Sequence, residues 1–276
     1  MRFAPLAVLI TALTLPVQAK EPVEANASAS LKTYGAQYRA YVRGILIANV
    51  DVRFALPANG YHLSAKAKAA GLGRVFSSSS AQTHSYGAIE NGAFEPQNVL
   101  IAWQQGDEIK QSEIGYKNGA PASFRSDYPL PPERQPKTAV DISLVGTGTN
   151  DPFLAMLGQI TGNDLRSVCD APKRLFDGRR LANLVPKATQ TLEAGEHGFK
   201  VAGPVLECQT KWQPVAGYSE ESLQNAEAFD LIDITYARIE GTDFAAPVHA
   251  VTSTRYGRFT IKAKQFFEPL DPQMAP

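Results

Sequence analysis

Residues Ala48 to Ala69 read ANVDVRFALPANGYHLSAKAKA, and this stretch decides the fold class. Ala48, Val50, Val52, Phe54 and Leu56 alternate with Asn49, Asp51 and Arg53, the period-two pattern of a strand with one wet face. After Asn59-Gly60 the alternation resumes. Tyr61, Leu63, Ala65, Ala67 and Ala69 fall on one side, and His62, Ser64, Lys66 and Lys68 on the other. Asn-Gly accepts the positive φ that a type I′ turn requires, so the stretch predicts a hairpin. The same punctuation recurs at Asn91-Gly92, between Thr83–Ile89 and Val99–Gln104. It recurs again at Asn118-Gly119, between Glu108–Lys117 and Ala122–Arg125. Three such turns predict a meandering antiparallel sheet. No sequence repeat accompanies them, which argues against a propeller or solenoid.

Further along, Pro129, Pro131, Pro132 and Pro136 mark a segment unable to donate ladder hydrogen bonds, either an excursion over the sheet or a linker. Asn150-Asp151-Pro152 then opens the clearest helix signal. Asp151 can cap free amides and Pro152 suits the first helical position. Phe153, Met156, Leu157 and Ile160 share one helical face, and Gly162 is a natural stop. That face is expected to be buried against the concave side of the sheet. Strands are expected again at Lys173–Phe176 and Arg179–Leu184 across Asp177-Gly178. Others are expected over Phe199–Trp212 (around Gly203-Pro204) and Leu231–Ile239, and at Val248–Tyr256 and Arg258–Phe266 across Gly257. The fold expected is mainly β: a large curved antiparallel sheet, spiral or half-barrel-like, wrapped around one short helix.

The first residues read as an export signal. Arg2 precedes the apolar, uncharged run Ala4–Val17, and Val17-Gln18-Ala19 offers small residues for cleavage before Lys20. The organisation expected is a signal peptide over 1–19, a flexible lead-in over 20–31, one β domain over 32–268 and a loose tail over 269–276. The expected location is the periplasm. No later apolar run reaches membrane-spanning length, and the strands lack the paired aromatic girdles of an outer-membrane barrel. With 27 basic and 27 acidic residues there is no electrostatic footprint for nucleic acid.

Cys169 and Cys208 are the only cysteines, 39 positions apart. In an oxidising compartment one intramolecular disulfide is the expected pairing, with unpaired thiols and a redox role as the alternatives. The spacing fits neither a CxxC motif nor a zinc site. The succession Asn150-Asp151-Pro152, Cys169, Phe176-Asp177-Gly178-Arg179-Arg180, Cys208, Pro214-Val215-Ala216-Gly217-Tyr218 resembles the exported DUF3108 proteins of Gram-negative bacteria. Tyr41-Val42-Arg43-Gly44-Ile45 and Ala246-Pro247-Val248 fit the same family. The resemblance implies a spiralling sheet around a short helix and a periplasmic location, and implies no catalysis.

No chemistry is signalled strongly. His62, His84, His197 and His249 form no metal-ligating spacing, and there is no nucleophile elbow. Gly71-Leu72-Gly73 lacks a dinucleotide-loop context, and Gly146-Thr147-Gly148-Thr149 lacks the lysine of a P-loop. No catalytic, cofactor-binding or metal residue is nominated, and no cofactor is expected. Asp177-Gly178 is explained by its turn. Arg179 and Arg180 could grip an anion, although hairpin arginines more often flank a solvated edge. Phe153, Met156, Arg179 and Arg180 are the candidate ligand contacts. The expected function is a non-enzymatic envelope protein binding an apolar or amphiphilic ligand, a lipid for example, or an envelope protein partner. The alternative is a hydrolase whose scattered site uses Asp151 or His249.

Overall fold

The computed structural model describes residues 31–76, 79–195, 198–229 and 231–270. The expected leader and most of the lead-in lie outside them, as does His197. In chain order the strands are β1 (Lys32–Val42), β2 (Ile45–Leu56), β3 (Gly60–Ala69), β4 (Ser80–Glu90), β5 (Ala93–Gln105), β6 (Glu108–Lys117) and β7 (Ala120–Ser126). There follow β8 (Thr149–Asn150), β9 (Gly158–Gln159), β10 (Lys173–Phe176), β11 (Leu181–Glu193), β12 (Pro204–Ala216), β13 (Ile232–Arg238), β14 (Phe244–Thr254) and β15 (Gly257–Pro269). The α-helices are α1 (Gly73–Phe76) and α2 (Glu220–Glu227).

All but β9 lie on one path, β7-β6-β5-β4-β3-β2-β1-β15-β14-β13-β12-β11-β10-β8, and β9 adds to β14. Every pairing is antiparallel except β8 with β10. The sheet curves through 330° around a short helical segment. Side chains close the remaining gap. Val99 of β5 and Ile114 of β6 share a buried cluster with Phe176 of β10 and Leu181 of β11, and Phe124 of β7 packs on it. A Cβ on Gly178 would lie 2.3 Å from the Phe124 ring, so only glycine lets the β10–β11 hairpin reach the β7 edge. The proline-rich segment is an excursion: Lys137 N–H bonds the Tyr218 carbonyl (3.1 Å), and Gly217 N–H bonds that of Thr138 (2.9 Å).

The interior holds two large clusters. In one, Phe54 meets Phe94, Phe244 and Phe267 edge-on, while Phe94 of β5 stacks on Phe244 of β14 across the barrel at 4.6 Å. The other surrounds the Cys169–Cys208 disulfide with Leu175, Leu184, Leu206 and Ile234. Between them runs the segment expected to be a helix. Leu154 and Leu157 enter the first cluster, Ala155 and Ile160 the second.

That segment is a correction. Asp151 caps as expected, Oδ1 accepting from Phe153 N (2.9 Å) and Leu154 N (3.1 Å). Only a 3₁₀ turn, Leu154–Met156, follows. Carbonyls that would carry a helix onward are taken by Lys173, whose Nζ donates to Ala155 O (3.0 Å) and Leu157 O (3.4 Å). Gly158 and Gln159 then pair with β14 instead of continuing the turn. The expected common face is therefore divided: Leu157 and Ile160 are buried, Met156 is half-buried and Phe153 is 41% exposed.

Other boundaries differ. Asn91-Gly92 and Asn118-Gly119 adopt the positive φ of type I′ turns, but Asn59-Gly60 does not. Gly60 is required instead because a Cβ there would meet the Gly87 carbonyl at 2.6 Å. Residues 199–203 form no strand; β12 begins at Pro204 and pairs with an extended β11 reaching Glu193. Residues 271–276 of the expected tail lie outside the described residues; before them, β15 runs to Pro269 and Leu270 N–H bonds the Thr33 carbonyl at 2.8 Å. Among the described residues, no helix is long and apolar enough to cross a membrane.

Candidate ligand-binding cleft

Alternation along β5 leads from the core to the site. Val99, Ile101 and Trp103 point the same way, and they pass from fully buried through half-buried to 50% exposed. On β6, Ile114 and Ser112 are buried and Lys110 is half-buried. The inward face thus opens into a cleft of about 760 Å³ at the barrel mouth. Its other walls come from the segment after β7, the Pro152-Phe153 turn, the β10–β11 hairpin, α2 and the β14–β15 turn. Barrel mouths of this kind are usual ligand sites. A smaller pocket of about 350 Å³ adjoins it, sharing Pro152, Asp177, Arg180, Ser222 and Asn225, with Leu175, Ala182, Trp212 and Phe229 as apolar lining.

Three large side chains stay exposed along the cleft: Trp103, Phe153 and Tyr256, the last at 60%. The floor carries Asp151, 1% exposed. Burial pushes its carboxyl pKa up, against the Leu154 amide, the nearby Ser85 hydroxyl and the Phe153 amide, which lower it. Its Oδ2 has no hydrogen-bond partner of good geometry among the described residues. Ser85 Oγ lies 3.2 Å from Tyr61 Oη, and the buried Tyr116 hydroxyl has no partner among the described residues. Burial raises both tyrosine pKa values.

Charges at the rim fall into two groups. Lys110 pairs with Glu108 (3.0 Å) and Arg255 with Glu221 (3.1 Å). Arg134, Arg179 and Arg180 form no ion pair with a described residue. Asp177 is occupied as a turn acceptor, its Oδ1 receiving the Arg179 (2.9 Å) and Arg180 (2.6 Å) amides.

Of the four candidate contacts, Phe153, Arg179 and Arg180 line this cleft. Met156 is not among its lining residues and packs against the disulfide cluster. Trp103, Arg134, Tyr256 and the whole of α2 were not legible as site residues. Helix α2 did carry a local signal: Ser219 caps it, accepting from Ser222 N, with Glu220 and Glu221 in the first turn. His249 is absent from the cleft lining and lies 6.1 Å from Phe199, ring to ring. His62 and His84 stack on adjacent strands at 5.6 Å. Among the described residues, no group of three or more His, Cys, Asp or Glu could hold a metal ion.

No protein-family model matches this chain. No curated protein matches it either. The resemblance to the DUF3108 proteins is therefore not upheld, and the compartment it implied loses that support. The residues that carried it have local reasons: Asp151 caps a turn, and Asp177 accepts two amides of a hairpin. The chain is similar to the crystal structure of a β-barrel-like protein of domain of unknown function DUF1849 from Brucella abortus. The identity is 11% and the TM-score 0.48, over 87% of this chain and 98% of that one.

Proposed function

We propose that this is a non-enzymatic binding protein whose barrel-mouth cleft takes an amphiphilic ligand. The observation that carries the reading is the exposure of Trp103, Phe153 and Tyr256 around one concavity that continues into an apolar side pocket. Isolated exposed apolar residues are ordinary, but several facing one cleft mark a binding surface. The disulfide supports an oxidising compartment, which fits the leader-like start of the sequence. The hydrolase alternative draws support from Asp151 at the floor. Its other nominated residue, His249, stands elsewhere.

Native mass spectrometry of the protein purified from cell-envelope extract tests the reading. A bound amphiphile should travel with the wild-type chain and be lost from a Trp103→Ala, Phe153→Ala variant. A bare chain that also fails to bind single-chain detergents in titration would refute it.

A further inference from the structure

Arg179 is held unlike an ordinary surface arginine. It is half-buried at the seam between the β10–β11 hairpin and β7. Its Nη2 donates to Ser126 Oγ (2.7 Å) and to the Tyr128 carbonyl (2.6 Å), and its guanidinium lies over the Tyr128 (4.7 Å) and Phe124 (5.4 Å) rings. All these partners are neutral. Its Nε is buried without a hydrogen bond among the described residues. Burying a charge is costly unless an opposite charge meets it. Here the positive charge is fixed in direction, lines the cleft and lacks a counter-ion among the described residues.

Two more cations reinforce it. Arg180 sits where the cleft and the apolar side pocket meet, 5.8 Å from the Tyr218 ring, and Arg134 belongs to the same lining. The lining sets five cations against four acids. Glu108 and Glu221 pair with Lys110 and Arg255, Asp177 accepts two amides that leave its charge in place, and Asp151 is buried at the floor. The cleft therefore presents a cationic surplus beside an apolar pocket. A planar guanidinium fork fits the paired oxygens of a carboxylate or phosphate; Arg180 and Arg134 can offer one, while Arg179, its Nη2 engaged and its Nε buried, adds a positive charge of fixed direction.

Accepting that the cleft binds an amphiphile, we propose that Arg179, Arg180 and Arg134 form the site for an anionic headgroup. The chain of the ligand would occupy the pocket lined by Leu175, Ala182, Trp212 and Phe229. The shared chemistry is a carboxylate or a phosphate monoester on an alkyl chain.

Isothermal titration of the purified protein tests this with four probes of equal chain length, each below its micelle threshold: dodecanoate, dodecyl phosphate, dodecyl maltoside and dodecyltrimethylammonium. At least one anion should bind about tenfold more tightly than the maltoside, the scale of one charge-assisted contact. That advantage should shrink as salt is raised. Arg180→Gln should remove about tenfold of the anion affinity and cost the maltoside much less. Arg179→Lys, which keeps the charge but loses the bonds to Ser126 and Tyr128 that fix its direction, should act in the same direction. Preference between the two anions separates a fatty acid from a phosphate-bearing lipid. If the maltoside or the cation binds as well as the anions, or if Arg180→Gln changes nothing, the headgroup assignment is overturned while the cleft reading stands. If none of the four binds, the cleft reading itself fails.

Discussion

Replacing either cysteine by alanine should cost about 4 kcal/mol, and replacing both should cost little more. The bond joins Cys169, at the end of a 3₁₀ turn, to Cys208 in the middle of β12, with 39 positions between them. In the denatured chain it would close a loop holding β10, all of β11 and the first residues of β12. The chain-entropy relation assigns a closure of that length roughly 4 kcal/mol at 25 °C. Urea unfolding followed by tryptophan fluorescence provides the assay. With a slope of about 2–3 kcal/mol/M, the midpoint should fall by roughly 1.3–2 M in either single variant. The double variant should follow closely, since the two residues share one interaction. Reductant should bring the wild type down to the same level. Additive losses, or a midpoint indifferent to reductant, would refute the reasoning.

Other expectations concern the turn inside the barrel and its buried charges. Leu154→Ala should lose about 2–5 kcal/mol as a filled core position, whereas Phe153→Ala should stay within about 0.5 kcal/mol; equal losses in chemical denaturation would contradict the divided face. Burial lowers the Lys173 pKa to about 8, from an ordinary 10.5. Between those values the unfolded chain holds more protons, so this group makes stability rise with pH. Relative to Lys173→Met, wild-type unfolding free energy should therefore climb from pH 8 to 10, and a flat difference would reject it. Asp151 behaves in the opposite sense, because its folded pKa is raised above 3.8. Its contribution is present below that value and lost as pH rises through the folded pKa. Asp151→Asn should therefore be as stable as the wild type or more so at pH 7, and should lose ground to it towards pH 3.

What the sequence disclosed depended on how local the cause was. The face alternation of β3 is a local property, and Tyr61, Leu63 and Ala65 are buried at 2–3%, as their spacing predicts. The turns at Asn91 and Asn118 followed from backbone chemistry in the same way. At Gly60 the deciding atom was a carbonyl of β4, which no reading of neighbours reveals. The helix signal after Asp151 was genuine at its cap and failed beyond it, because Lys173 and β14 claimed the next backbone groups. Helix α2 was overlooked despite its serine cap, since it buries only Ala226 and shows little apolar periodicity. The cleft was the least legible feature. Its walls come from segments as far apart as β5 and the β14–β15 turn, and only the sheet register brings them together.

The sheet order also constrains when this protein can fold. Almost every strand is sewn to a partner made just before or after it, but β1 depends on β15 for its second neighbour. As the chain becomes available from its N-terminal side, the β1–β7 meander can assemble early while one edge of β1 stays bare. An open row of amides and carbonyls of that kind invites pairing with other chains. The vulnerable interval lasts until residues 257–269 are available to pair, more than two hundred positions after β1 begins. A chaperone acting on this chain would therefore serve it chiefly by shielding the β1 edge until β15 arrives.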